Sequence, residues 1–213
     1  MSFDTWIAAS PWPAVIAWAL LYLSDYQLTV VGARLYRGGA QRHLTFEGSY
    51  ELNPAFVEAV DALRPLDPKF VVYWVTSTFI VYGWWVLGVS WFEMPPAFCL
   101  LAGVLFGREL GVHARHLRNI ALFRMLRRDG AVEGTIRYRR WVSLRLSGLD
   151  LLFQAGVFGV LAAVVASWTL GGAALGCATL GLRHLQGSRQ QRRAQARAAA
   201  PVAGEATASG DAP

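Results

Sequence analysis

Four long apolar runs constrain this chain more than any other feature. They read PWPAVIAWALLYLSDYQLTVV (11 to 31), FVVYWVTSTFIVYGWWVLGVSWF (70 to 92), PPAFCLLAGVLFG (95 to 107) and a last stretch from 146 to 182 whose one charge is Asp150. A helix rising about 1.5 Å per residue needs roughly 20 such residues to cross a hydrocarbon core about 30 Å thick. The first two runs meet that length, and the third does once extended to Val112. The fourth is nearly long enough for two spans, and Trp168 to Gly172 is the natural place to turn. The expected fold is an all-α polytopic transmembrane bundle over residues 1–185, with spans at about 11–32, 70–92, 95–112, 144–168 and 170–183. A four-span version treats 146–182 as one tilted helix. A composition of 54% hydrophobic and 16% charged residues is too apolar for an ordinary soluble domain of this length.

The tryptophans support these limits, because amphipathic rings collect at membrane boundaries. Trp6, Trp12 and Trp18 stand near the start of the first span, Trp91 after the second, Trp141 before the fourth and Trp168 at the turn. Trp84 and Trp85 are expected between helices. Cys99 and Cys177 both fall inside spans, which argues against a disulfide or zinc framework and for small buried hydrophobes. No basic residue precedes the first run and no small-residue cleavage site follows it, so that span is expected to remain in the mature protein.

The charges then fall into two sets of loops. Residues 1–10, 93–94 and the turn near 169 contain Asp4 and Glu93 and no Lys or Arg, and all 20 basic residues lie in the other set with its flanking helix ends. Loops rich in Lys and Arg stay in the cytosol. This predicts an amino terminus outside and a carboxyl terminus inside, in a bacterial inner (cytoplasmic) membrane. Only the five-span version keeps the Arg-rich tail on that side. A net charge of +6 thus describes one face of the molecule. Such a face attracts anionic lipid headgroups and needs no nucleic-acid partner to explain it.

The first basic loop contains a helix signal, Asn53-Pro54, followed by Phe56, Val57, Val60 and Leu63 on one apolar face; this predicts a short interfacial amphipathic helix. Asp67-Pro68 repeats the signal ahead of the second span. Between them HLTFEGSYEL reads as a connector in preference to a lid over the mouth of the bundle. In the second basic loop, 113–128 continues the third span as a basic amphipathic helix, and Asp129-Gly130 turns the chain. Residues 186–213, rich in Ala, Arg and Gln, read as a disordered basic cytosolic tail.

The third span carries the candidate chemistry, since a rotation of 100° per residue sorts it into faces. Gly103, Gly107 and Gly111 form a small-residue stripe for close helix packing, within the chain or against a second copy in a homodimer. Glu109, His113 and His116, at i, i+4 and i+7, bring a carboxylate and two imidazoles toward one metal ion; His43, Glu47, Glu51, Asp25 or Asp150 would complete the set. Arg108 is the deepest cation and requires partners, for which Asp25 and Asp150 are placed, so Asp25, Arg108, Glu109 and Asp150 are expected to form an intramembrane polar cluster. Arg115, Arg118, Asn119 and Arg124 form the face expected to bind headgroups or other anions.

No phosphate-binding glycine loop, GxSxG, HExxH or paired-Cys motif is present, and no motif specifies a cofactor. Three functions remain. The first is a non-enzymatic bundle that binds lipid headgroups or a partner protein at its basic face. The second is a metal-dependent enzyme embedded in the membrane and acting on a lipid or polyprenyl phosphate. The third is a dimeric proton- or ion-coupled carrier. The first is the reading the charge distribution favours.

Overall fold

The computed structural model describes residues 2–128 and 133–199. Its helices are α1 (Phe3–Ala8), α2 (Pro11–Arg37), α3 (Val57–Asp61), α4 (Pro68–Trp85, continued by a π-helical turn at Val86–Trp91), α5 (Pro95–Leu126), α6 (Arg140–Val165) and α7 (Trp168–Ala199). Two short strands, β1 (Leu44–Phe46) and β2 (Ile136–Tyr138), complete the fold. The protein is thus an all-α bundle with one small ribbon. Four of its helices, α2, α4 with its π turn, α5 and α6, are long and apolar enough to cross a membrane. Their outward faces expose Ile16, Leu20, Phe79, Phe153 and Val164, a belt that water would not tolerate on a monomer.

Helix starts follow the residues that cap them. Asp67 Oδ1 accepts hydrogen bonds from Lys69 N at 2.9 Å and Phe70 N at 3.4 Å ahead of Pro68, as its sequence signal predicts. Asn53 behaves differently. Its side chain accepts from Ala55 N at 3.1 Å and its carbonyl from Phe56 N, closing a turn of its own, so α3 begins only at Val57. Phe56, ahead of that helix, packs edge-on against Tyr26 and Phe70.

The 146–182 run does not form one helix. The chain reverses at Ala166, which adopts a left-handed conformation with φ 50°, and at Ser167. Asp4 fastens this reversal: Ser167 Oγ and Thr169 Oγ1 donate to its Oδ1 at 2.8 and 2.6 Å, and Trp168 N donates to its Oδ2 at 2.6 Å. Burial alone would raise the Asp4 pKa, but these donors outweigh it and hold the carboxyl below its usual value. Helix α7 then runs antiparallel to α6, with Gly181 beside Gly148 and Ser188 Oγ donating to the Trp141 carbonyl at 2.7 Å.

Two expectations need correction here. Residues 186–199 are helical rather than disordered, because Ala, Arg and Gln are strong helix formers and this segment has α6 and the ribbon to lean on. Gln195 Nε2 donates to Glu47 at 3.1 Å, and Arg192 lies over Trp141; residues 200–213 of the expected tail lie outside the described residues. Trp18 is not a boundary residue. It is 2% exposed, and its indole N–H donates to Ser77 Oγ at 3.0 Å. Trp6, Trp12, Trp91 and Trp168 are exposed.

HLTFEGSYEL is more than a connector. Its strand β1 pairs in parallel with β2, in the register Leu44 to Ile136, Thr45 to Arg137 and Phe46 to Tyr138. Parallel strands require a long crossover, and α5 lies within it. Tyr36, Phe46, Tyr50, Phe123 and Tyr138 pack around the ribbon as an aromatic cluster, which fixes it over the end of α5.

Candidate functional site

Beneath the ribbon lies a cavity of about 220 Å³ between the 44–52 segment, α5 and the start of α6. Helix α5 contributes Arg115, His116, Arg118, Asn119 and Leu122, and α6 contributes Arg140, Ser143, Leu146 and Ser147 from its first turns. The loop supplies Glu47, Ser49, Tyr50, Glu51 and Leu52. A second cavity of about 430 Å³ shares Arg115 and Arg118 with the first and continues past Leu149, Phe153 and Gln154 on the outer side of α6. Leu149 and Phe153 are exposed there.

The polar groups of the first cavity are held in place. Arg115 Nη1 donates to Ser147 Oγ at 2.7 Å, and Ser147 Oγ lies 3.0 Å from His184 Nδ1. The guanidinium already occupies the serine as a donor, so the single hydroxyl proton is free to go to the imidazole. Glu47 Oε2 accepts from Arg140 N at 3.2 Å, tying the ribbon to the first turn of α6. Glu51 is pushed above the usual carboxylate range, chiefly by burial and in part by Asp25, while Asn53 N–H and Arg115 oppose the shift. Burial likewise raises the Tyr50 phenol.

A second polar group lies deeper, between α2 and α5. One ligand atom each from Asp25, Glu109 and His113 lies within 4.8 Å of the other two. Glu109 is 4% exposed, and its Oε1 accepts from Arg108 Nη2 at 2.9 Å and Nε at 3.2 Å. His113 Nδ1 lies 2.7 Å from the Glu109 carbonyl, and Nε2 lies 2.8 Å from Ser24 Oγ. A carbonyl only accepts, so the proton sits on Nδ1 and, in the neutral ring, Nε2 holds the lone pair. His116 Nε2 lies 3.1 Å from Thr29 Oγ1, whose own proton goes to the Asp25 carbonyl. His116 is therefore the Nε2–H tautomer. Its Nδ1 is buried without a hydrogen-bond partner, as are Asp25 Oδ1 and Glu109 Oε2, among the described residues.

The expected groupings are thus partly rearranged. Asp25 and Glu109 meet, but Arg108 pairs with its sequence neighbour Glu109 rather than with Asp25 or Asp150. Asp150 leaves the cluster and lies 2.7 Å from Arg118 Nη1, because α6 meets α5 on another face and further along its length. His116 turns toward Asp25 at 3.3 Å, whereas His113 joins Glu109 and Asp25 as a possible ligand set. Of the expected anion-binding residues, Arg115, Arg118 and Asn119 line the cavity; Arg124 is exposed and does not. Arg140, Ser143 and Ser147 were not anticipated as site residues, and Glu51, expected only as a possible metal ligand, lines this cavity instead, since the ribbon that gathers them joins two loops about 90 residues apart.

Gly103 and Gly107 of the glycine stripe face α7, and Gly111 meets Leu151 and Gln154 of α6. A Cβ on Gly103 would penetrate the Thr169 carbonyl and one on Gly107 the Ala173 backbone, while Gly172 and Gly176 lie equally close to Leu100 and Val104 of α5. A second copy would have to use some other surface. Comparison with protein-family models, curated proteins and solved structures finds no match to this chain.

Proposed function

We propose that this protein is a multi-pass integral membrane protein that binds an anionic phospholipid headgroup in the cavity beneath its ribbon. The observation that carries the reading is the junction of the two cavities. A chamber bordered by Arg115, Arg118 and Arg140 meets a second groove at Arg115 and Arg118, and that groove opens on the exposed flank at Leu149 and Phe153. A phosphate in the chamber takes charge-assisted bonds from Arg115 and Arg140, with Asn119 and Ser143 beside them. The acyl chain follows Leu146, Leu149 and Phe153 outward. Arg118 is balanced by Asp150 and marks the mouth.

In this reading the ribbon end is cytosolic and the end carrying α1, Trp91 and Trp168 faces outward, in a bacterial cytoplasmic membrane. The separation of basic residues between the two ends supports it. So does the antiparallel pairing of α7 with α6, which sets the apolar residues 168–182 beside a spanning helix as a fifth span. Binding is tested on purified protein with short-chain phosphatidylglycerol and phosphatidylcholine. Arg115→Gln and Arg140→Gln each weaken phosphatidylglycerol binding by roughly tenfold or more, as expected for loss of a charged hydrogen bond of about 1.5–3 kcal/mol. Arg124→Gln changes it little, and the preference shrinks with salt. Equal affinity for both lipids would refute the proposal.

A further inference from the structure

We propose that Asp25, Glu109 and His113 bind one first-row divalent cation of the Mn²⁺ or Zn²⁺ type between α2 and α5. Three donors from two helices converge within 4.8 Å. Three atoms 4.8 Å apart lie about 2.8 Å from a common centre, so bonds of about 2.0–2.2 Å ask each ligand to move inward by at most about 0.6–0.8 Å, with water completing the shell. The donors are also left over. Arg108 takes only one oxygen of Glu109, and the other, Oε2, is buried without a partner among the described residues, while Asp25 Oδ1 faces only the His116 imidazole at 3.3 Å. Arg108 pairs with Glu109 alone, and a divalent ion between the Glu109 and Asp25 carboxylates offsets their mutual repulsion.

His113 has the arrangement of a metal-bound imidazole. Its Nδ1–H is anchored on the Glu109 carbonyl, which orients Nε2 as the free donor. The Ser24 hydroxyl now stands between two acceptors, Nε2 at 2.8 Å and the Leu21 carbonyl at 3.0 Å, with one proton to give. An ion on Nε2 removes that conflict. The mixed nitrogen and oxygen donors favour Mn²⁺ or Zn²⁺ over Ca²⁺, which takes oxygen ligands, and over Mg²⁺, which sheds its water reluctantly.

The test uses the full chain, purified without a histidine tag, stripped with chelator and passed through a desalting column after loading with Mn²⁺ or Zn²⁺. The expected result is one equivalent retained per chain, at least tenfold less in Asp25→Asn, Glu109→Gln and His113→Ala, and no change in His43→Ala. X-ray absorption of the loaded wild-type protein should show nitrogen and oxygen neighbours, including an imidazole, and no sulfur. This spectrum decides the matter if a variant fails to fold by circular dichroism. Retention well below one equivalent, equal retention in all variants, or a shell without imidazole overturns the inference. It does not rest on headgroup binding: Arg115→Gln and Arg140→Gln should keep the ion while losing the lipid.

Discussion

Glu51 lines the cavity proposed to take a headgroup, half-buried within reach of the Arg115 charge and accepting from the Asn53 N–H. Its raised pKa means that the folded protein resists ionising it. The sign of the consequence is fixed. As pH falls through the raised folded value, Glu51 loses its charge, the chamber becomes more cationic and phosphatidylglycerol binds more tightly. Glu51→Gln should bind tightly throughout and lose that pH dependence, as read by titration between about pH 4 and 8. The groups facing Glu51, namely Arg115 and Asp25, are unchanged in the variant. Single residues were only partly legible. Asp67 declares itself a cap through the proline that follows it, and Arg115, Arg118 and Asn119 share a helix face that spacing alone reveals. Glu51, Ser143 and Ser147 carry no local pattern, and only the pairing of β1 with β2 brings them to one cavity.

Among the elements, α5 and α7 have the tightest contact. Their glycines let the two backbones meet without intervening side chains, which gains dispersion where lipid offers no hydrophobic drive for helices to associate. Gly107→Ala places a methyl group inside the Ala173 backbone and should destabilise the protein by about 1–3 kcal/mol, as overpacking does. Gly156→Ala, on α6 with nothing within 4 Å, should be neutral or stabilising by about 0.4–1 kcal/mol. Thermal unfolding of both variants in the same detergent gives the comparison. The stripe at Gly103, Gly107 and Gly111 was legible as a packing face. Which element would cover it was not, because Gly172 and Gly176 acquire meaning only once the chain has reversed at Ala166. The helix through 186–199 was hidden for a related reason. Its composition matches that of a solvated tail, and its fixed position depends on Trp141 and Glu47, far away in sequence.

At the scale of the whole molecule, the apolar runs foretold the bundle and the break near Trp168, since segment length against bilayer thickness is a strong constraint. Depth was harder to read. Arg108 takes Glu109 as its partner because an adjacent carboxylate on the same helix is within reach, whereas Asp150 belongs to a helix that meets α5 closer to the ribbon. If the protein binds a lipid as proposed, the ribbon cavity faces the cytosol and holds an anionic headgroup. Ser143→Cys puts a thiol in that cavity, and the native Cys99 and Cys177 are both buried, which keeps background labelling low. The decisive measurement is the rate at which an impermeant maleimide labels Ser143→Cys in oriented membranes, with bilayers of phosphatidylglycerol compared with phosphatidylcholine. The expected result is labelling from the cytosolic side alone, slowed severalfold by phosphatidylglycerol. Labelling from the outer side, or the same rate in both lipids, would contradict it.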